Sequence, residues 1–126
     1  MTNLNEQLIE AIINNGIDEV LELIERGADI EARSQWGKTP LHYACSYGRT
    51  ELVLKLIEKG ADVGARSNVG RTPLHDACSY GKTKIALILI EKGADIEARN
   101  NVGSTPFDLA SEELREVLRE KGIINN

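Results

Sequence analysis

The sequence repeats itself with a period of 33 residues, and this feature limits the possible folds more than any other. Residues 39–71 match residues 72–104 at 23 of 33 positions. The second half of the unit precedes these copies, at 23–38, and its start follows them, at 105–110. Such a repeat is typical of solenoids, in which each unit buries its apolar face against its neighbours. We expect a single repeat domain over 1–126: a capping repeat at 4–38, repeats at 39–71 and 72–104, a capping repeat at 105–122 and a tail at 123–126.

Each unit carries the signals of two short helices followed by a loop. A Thr-Pro pair opens the first helix, because the hydroxyl can accept from free N–H groups and proline fits the first helical position. Gly48 and Gly81 mark its end, where the backbone turns left-handed. The second helix starts at Thr50 and Thr83, and its apolar residues predict one buried face. The rest is predicted as an extended, hairpin-like loop, so the fold class is all-α.

Two short motifs identify the repeat. TPLH at 39–42 and 72–75, with GAD at 27–29, 60–62 and 93–95, resembles the ankyrin repeat family. The resemblance covers about residues 4–122. It implies a solenoid with the second helices on a convex back and with the first helices and hairpin tips forming a concave groove. It also implies a non-catalytic module that binds another protein through that groove and those tips.

The chain departs from the family's pattern at its end and along its back. About four residues are missing from the last unit, so its first helix should run quickly into its second. Leu21, Leu54 and Leu87 occupy a position that is usually polar in the family. We favour packing as their role and expect a monomer, but weak self-association through them stays open.

Charge and composition argue against several partners and compartments. Fifteen Lys and Arg residues oppose 20 Asp and Glu residues, giving a net charge of -5. This balance argues against a nucleic-acid partner and against an anionic membrane surface. The longest apolar run has six residues, at 85–90, which predicts neither a membrane span nor a secretory signal. Two distant cysteines suit a reducing compartment, so we expect a cytoplasmic protein.

The residues that could carry chemistry have simpler explanations. His42 with Cys45, and His75 with Cys78, suggest a divided zinc site, but packed helices lie roughly 8–10 Å apart and the two pairs should not converge. We interpret the cysteines as small core residues and the histidines as local hydrogen-bond partners. The sequence shows neither a phosphate-binding loop nor a hydrolase motif. We therefore expect no enzyme activity, no cofactor and no metal.

The candidate binding residues are aromatic or lie at hairpin tips that face the groove. Large amphipathic aromatics are enriched at binding hot spots because they bury much area at low entropic cost. Trp36 occupies a tip position whose equivalents are Val69 and Val102. The alternative for the tyrosines is that they pack on each other across the repeat boundary. The predicted protein-binding set is Trp36, Tyr43, Tyr47, Asn68, Val69, Arg71, Asp76, Tyr80, Asn101 and Val102.

A row of arginines recurs at one loop position, Arg33, Arg66 and Arg99. It could meet an acidic segment of a partner, or it could be a solvated edge; we interpret it as an aid to recognition. A second hypothesis for the whole chain is an engineered or idealised scaffold with no cognate partner. The near-identical repeats favour that hypothesis weakly, whereas the cysteines and the shortened last unit do not.

Overall fold

The computed structural model describes residues 2–125, and within them the chain forms seven α-helices, one short 3-10 helix and no β-strand. The prediction of an all-α fold is confirmed. The elements are α1 (Leu4–Ile13), α2 (Ile17–Glu25), α3 (Pro40–Ser46), α4 (Thr50–Glu58), α5 (Pro73–Ser79), α6 (Thr83–Glu91), the 3-10 helix (Phe107–Leu109) and α7 (Glu112–Glu120).

The first helices begin and end as the sequence predicts. The Thr39 hydroxyl accepts from the His42 backbone N–H, while the His42 ring accepts from the Thr39 backbone N–H, which closes a reciprocal cap around α3. The same pair of bonds joins Thr72 and His75 at α5. Gly48 follows α3 with a φ of 72°, a backbone conformation that a side chain disfavours. The chain therefore turns sharply into α4.

One apolar core runs through all the units. The first helices stack in a row, with α3 between α1 and α5, and the 3-10 helix packs beyond α5. Because Leu8, Leu41 and Leu74 are fully buried along this row, each unit covers the apolar face of the next. The second helices add Leu56 and Leu89 to the same core.

The column of leucines on the second helices, at Leu21, Leu54 and Leu87, is only partly packed. Leu87 packs against the core, and Leu21 is half-buried. Leu54 is 44% exposed, so packing does not account for it. The packing interpretation therefore holds for Leu87 and is wrong for Leu54.

The loops are hairpin-like without being strands. The Ser67 backbone N–H donates to the Arg71 carbonyl at 2.9 Å, and the Gly70 N–H donates back to the Ser67 carbonyl at 2.9 Å. The same closure recurs between Ser34 and Lys38. Each loop therefore projects a tight tip.

The last unit is shortened as expected. Its first helix is a single 3-10 turn, and Ser111 then caps α7 by accepting from the Leu114 backbone N–H. Among the helices at 2–125, none is long and apolar enough to cross a membrane.

Candidate protein-binding surface

Apolar side chains project from all three tips into solvent. Trp36 is 61% exposed, Val69 is 55% exposed and Val102 is 85% exposed. They occupy equivalent positions, so stacking of the repeats aligns them in one row. Burial of such groups from water would favour binding, whereas folding leaves them exposed.

Three adjoining cavities form one groove beside this row. The first, of about 320 Å³, shares Trp36, Lys38 and Tyr80 with the second, of about 350 Å³. The third, of about 240 Å³, adjoins the first at Tyr47. We call these three cavities the aromatic groove; its remaining lining residues are Tyr43, Ser46, Gly48, Thr50, Ser67, Asn68, Val69, Arg71, Lys82, Thr83, Lys84 and Ile85.

The structure separates the three tyrosines by exposure. Tyr47 and Tyr80 are 46% and 57% exposed, and both line the groove. Tyr43 is half-buried against the core, with the Lys38 ammonium 5.9 Å from its ring centre. Arg49 lies at the same distance from the Tyr47 ring. The protein's own cations therefore already approach two of the aromatic rings.

The sequence predicted that Asp76 would contact a partner, and this prediction is wrong because its carboxylate is not at the surface. Its side chain is fully buried, and its Oδ1 accepts from Arg71 Nε at 2.8 Å. Arg71 also donates to the His75 carbonyl, which fixes its guanidinium beside α5. A buried carboxylate needs such a partner, so the pair is structural and Asp76 leaves the set of exposed groups.

The tip asparagines join neighbouring loops. The Asn68 backbone N–H donates to the Trp36 carbonyl at 3.0 Å, and its side-chain amide donates to the Gln35 carbonyl. Asn101 makes the equivalent bonds to Val69 and Asn68. Their amide donors are thus engaged in holding the tips in a row.

The recurrent arginines also hold loops together. Arg33 donates to the carbonyls of Gly37, in its own tip, and Arg66, in the next unit. Arg66 repeats both contacts, to Gly70 and Arg99. The sequence shows that the arginines recur, but their acceptors are backbone carbonyls that only the stacked structure brings near.

The histidines are local hydrogen-bond partners, as predicted, and they also bridge units. The His42 Nδ1 accepts from the Thr39 N–H at 3.0 Å, so its Nε2 carries the proton and donates to the Arg71 carbonyl at 2.8 Å. His75 bridges to Ser104 in the same way. Burial lowers the pKa of both rings below 6.5, although their bonds to the next unit oppose the shift.

The cysteines are buried free thiols. Burial raises the pKa of Cys45 well above 9.0 and raises the pKa of Cys78 to about 12, so both stay protonated and unreactive at neutral pH. Within residues 2–125, no three His, Cys, Asp or Glu side chains are grouped to hold a metal ion.

A larger cavity, of about 980 Å³, lies at the N-terminal end of the stack. Glu6, Glu10, Asp29 and Glu31 line it together with a single cation, Arg33. No sequence pattern singled it out, because its acids come from α1 and from the first loop.

A model of ankyrin repeats, in three copies, matches residues 8–100. The chain therefore belongs to the ankyrin repeat family. Ankyrin repeats are protein-interaction modules, and the family is generally non-catalytic.

Two curated relatives illustrate the settings in which similar repeats occur. The chain is 44% identical over 55 residues to the SMC5-SMC6 complex localization factor protein 1 of Bos taurus, which covers 41% of this chain and 5% of that protein. It is 42% identical over 46 residues to protein phosphatase 1 regulatory subunit 27 of Mus musculus, which covers 36% of this chain and 30% of that protein. The similarity thus spans less than a third of either relative.

Proposed function

We propose that this chain is a non-catalytic recognition module that binds a partner protein through the aromatic groove and the adjoining tips. The observation that carries the proposal is the set of exposed apolar side chains gathered on one face, at Trp36, Tyr47, Val69, Tyr80 and Val102. Interfaces are organised around such anchors, since a few buried aromatic residues supply most of the binding energy.

The bonded loops support this proposal by holding the anchors in place. The tips are joined by the Asn68 and Asn101 amides, and the loops by the arginine contacts. A preorganised surface loses little conformational entropy when a partner binds. The names of the relatives, a regulatory subunit and a localization factor, fit a protein that acts by binding. We propose a protein partner, a monomeric state and a reducing compartment, which the two free thiols suit.

Capture from a cell extract tests the proposal. The native chain is immobilised beside the Trp36→Ala/Tyr47→Ala/Tyr80→Ala variant and beside Leu54→Ala. Leu54 is the matched control, because it is an exposed apolar residue of α4 that lines none of the three cavities. We expect a protein that binds the native chain and Leu54→Ala but not the triple variant. Capture of the same proteins by all three chains, or no specific capture, contradicts the proposal.

A further inference from the structure

Lysine side chains line the aromatic groove, and no acidic side chain in the described part of the chain does. Lys38, Lys82 and Lys84 line it, and none of them belongs to a salt bridge within residues 2–125. No Asp or Glu is among the lining residues of the three cavities. The residues that line the groove therefore carry an excess of positive charge, although the whole chain has a net charge of -5.

Two structural features maintain this local excess of positive charge. Asp76, on a helix that faces the groove, is buried and its charge is balanced by Arg71. A group of acids, Glu6, Glu10 and Glu31, lines the separate N-terminal cavity instead. The acidic and basic surfaces are thus separated along the stack.

The charges around the groove disfavour a cationic ligand. An aromatic pocket that binds an ammonium group offers it open ring faces. Here Lys38 approaches the Tyr43 ring and Arg49 approaches the Tyr47 ring, both at 5.9 Å. A further cation would meet these charges without a carboxylate to offset them.

We propose that the occupant of the groove is an acidic peptide segment of the partner, carrying an apolar side chain among its carboxylates. The apolar side chain lies against Trp36 and Tyr80, and the flanking carboxylates face Lys38 and Lys82. This inference rests on the proposed function and adds the chemistry of the ligand. Complementary charge raises the rate of encounter and selects the partner, while burial of the apolar anchor slows release.

Trp36 is the only tryptophan of the chain, so its fluorescence reports on the groove directly. Three synthetic peptides serve as probes: glutamates around a central Leu-Leu pair, the same peptide with lysine for each glutamate, and the acidic peptide with serine for both leucines. The acidic leucine peptide should shift the emission to shorter wavelength and protect Trp36 from acrylamide quenching. The lysine peptide should do neither, and the serine peptide should bind more weakly.

Charge reversals test the contribution of the two lysines. Lys38→Glu and Lys82→Glu should each weaken binding of the acidic leucine peptide by about twofold to fivefold, which is the size expected for ion pairs of partly exposed lysines. Lys59→Glu, at the exposed end of α4 and outside the groove, makes the same change in net charge and should leave the affinity unchanged. Added salt should weaken the native complex.

The outcomes separate this inference from the proposed function. Equal binding of the lysine peptide overturns the acidic preference and leaves the groove as a docking site. Equal binding of the serine peptide, or of heparin, overturns the apolar anchor and indicates general attraction of anions. If no peptide changes the Trp36 emission while extract capture still depends on the aromatic residues, the inference fails and the proposed function stands.

Discussion

His42 and His75 each join a helix cap to the neighbouring repeat, and both do so as neutral rings. The Nδ1 atom must be unprotonated to accept from the threonine N–H, while Nε2 must carry a proton to reach the next carbonyl. Protonation of Nδ1 would replace the accepted bond with two facing donors. Stability at the repeat boundaries therefore depends on the charge state of two buried side chains.

We expect the free energy of unfolding to fall as the pH is lowered below about 6.5. The pKa of each folded ring lies below 6.5, so the unfolded chain binds more protons in this range and acid favours unfolding. Each ring adds a slope of at most about 1.4 kcal/mol per pH unit. Urea unfolding at pH 7.5, 6.5 and 5.5 measures this slope. It should shrink in the His42→Gln/His75→Gln variant; an unchanged slope there would assign the effect to other groups.

Arg71 is expected to matter more for folding than its partial exposure suggests. Arg71→Met leaves the buried Asp76 carboxylate without its ion-pair partner and should reduce stability by about 3 kcal/mol. Asp76→Asn in the same background removes the uncompensated charge and should restore most of the loss. Chemical denaturation of the native chain and both variants measures the difference. If Arg71→Met alone were as stable as the native chain, the structural role of the pair would be contradicted.

The helices and loops differ in how much of them the sequence could predict. The starts of α3 and α5 follow from Thr-Pro pairs, and the ends of α3, α4, α5 and α6 follow from glycines, which act on the backbone next to them. The burial of Asp76 could not be predicted, because its equivalent is Tyr43 and its partner Arg71 approaches from the preceding loop. The hydrogen bonds of the loop arginines to the next unit could not be predicted either, because stacking of the units brings their acceptors near. Local signals determine elements, whereas the groove depends on contacts between units.

A hydrogen bond joins the first loop to the second through Glu31, but the equivalent bond between the second loop and the third is missing. Glu31 accepts from the Asp62 backbone N–H at 2.7 Å, but its equivalent in the next repeat is Gly64. The Gly64 N–H bonds to Asp62 as the Glu31 N–H bonds to Asp29, and a Cβ at Gly64 would meet only ordinary contacts. A glutamate fits this position without strain.

Gly64→Glu should therefore raise the free energy of unfolding by about 0.5–1 kcal/mol. The new carboxylate can accept from the Asp95 N–H, and the unfolded chain loses the freedom of a glycine. Gly64→Ala is the control, because it also reduces the freedom of the unfolded chain but cannot form the new hydrogen bond. Urea denaturation of both variants measures the gain. Equal stability of the two variants would show that the bond does not form.

The whole molecule combines a core that all units share with a face that the core does not use. Leu8, Leu41 and Leu74 place the first helices in a row, and the bonded loops align the tips beside them. The sequence predicted the exposed Trp36, Tyr47 and Tyr80, because residues at the same register of successive repeats share a face. It could not predict the three adjoining cavities or their acid-free lining, which depend on how the loops pack.

Unfolding of the Trp36→Ala/Tyr47→Ala/Tyr80→Ala variant tests most directly whether this face serves recognition and not folding. The measurement is its free energy of unfolding in urea, followed by circular dichroism because the variant lacks tryptophan, beside that of the native chain. Exposed side chains contribute little to stability, so the variant should lie within about 1.5 kcal/mol of the native chain. A loss of about 4 kcal/mol or more would show that the three rings hold the repeats together, and would contradict the account of the aromatic groove as a binding surface.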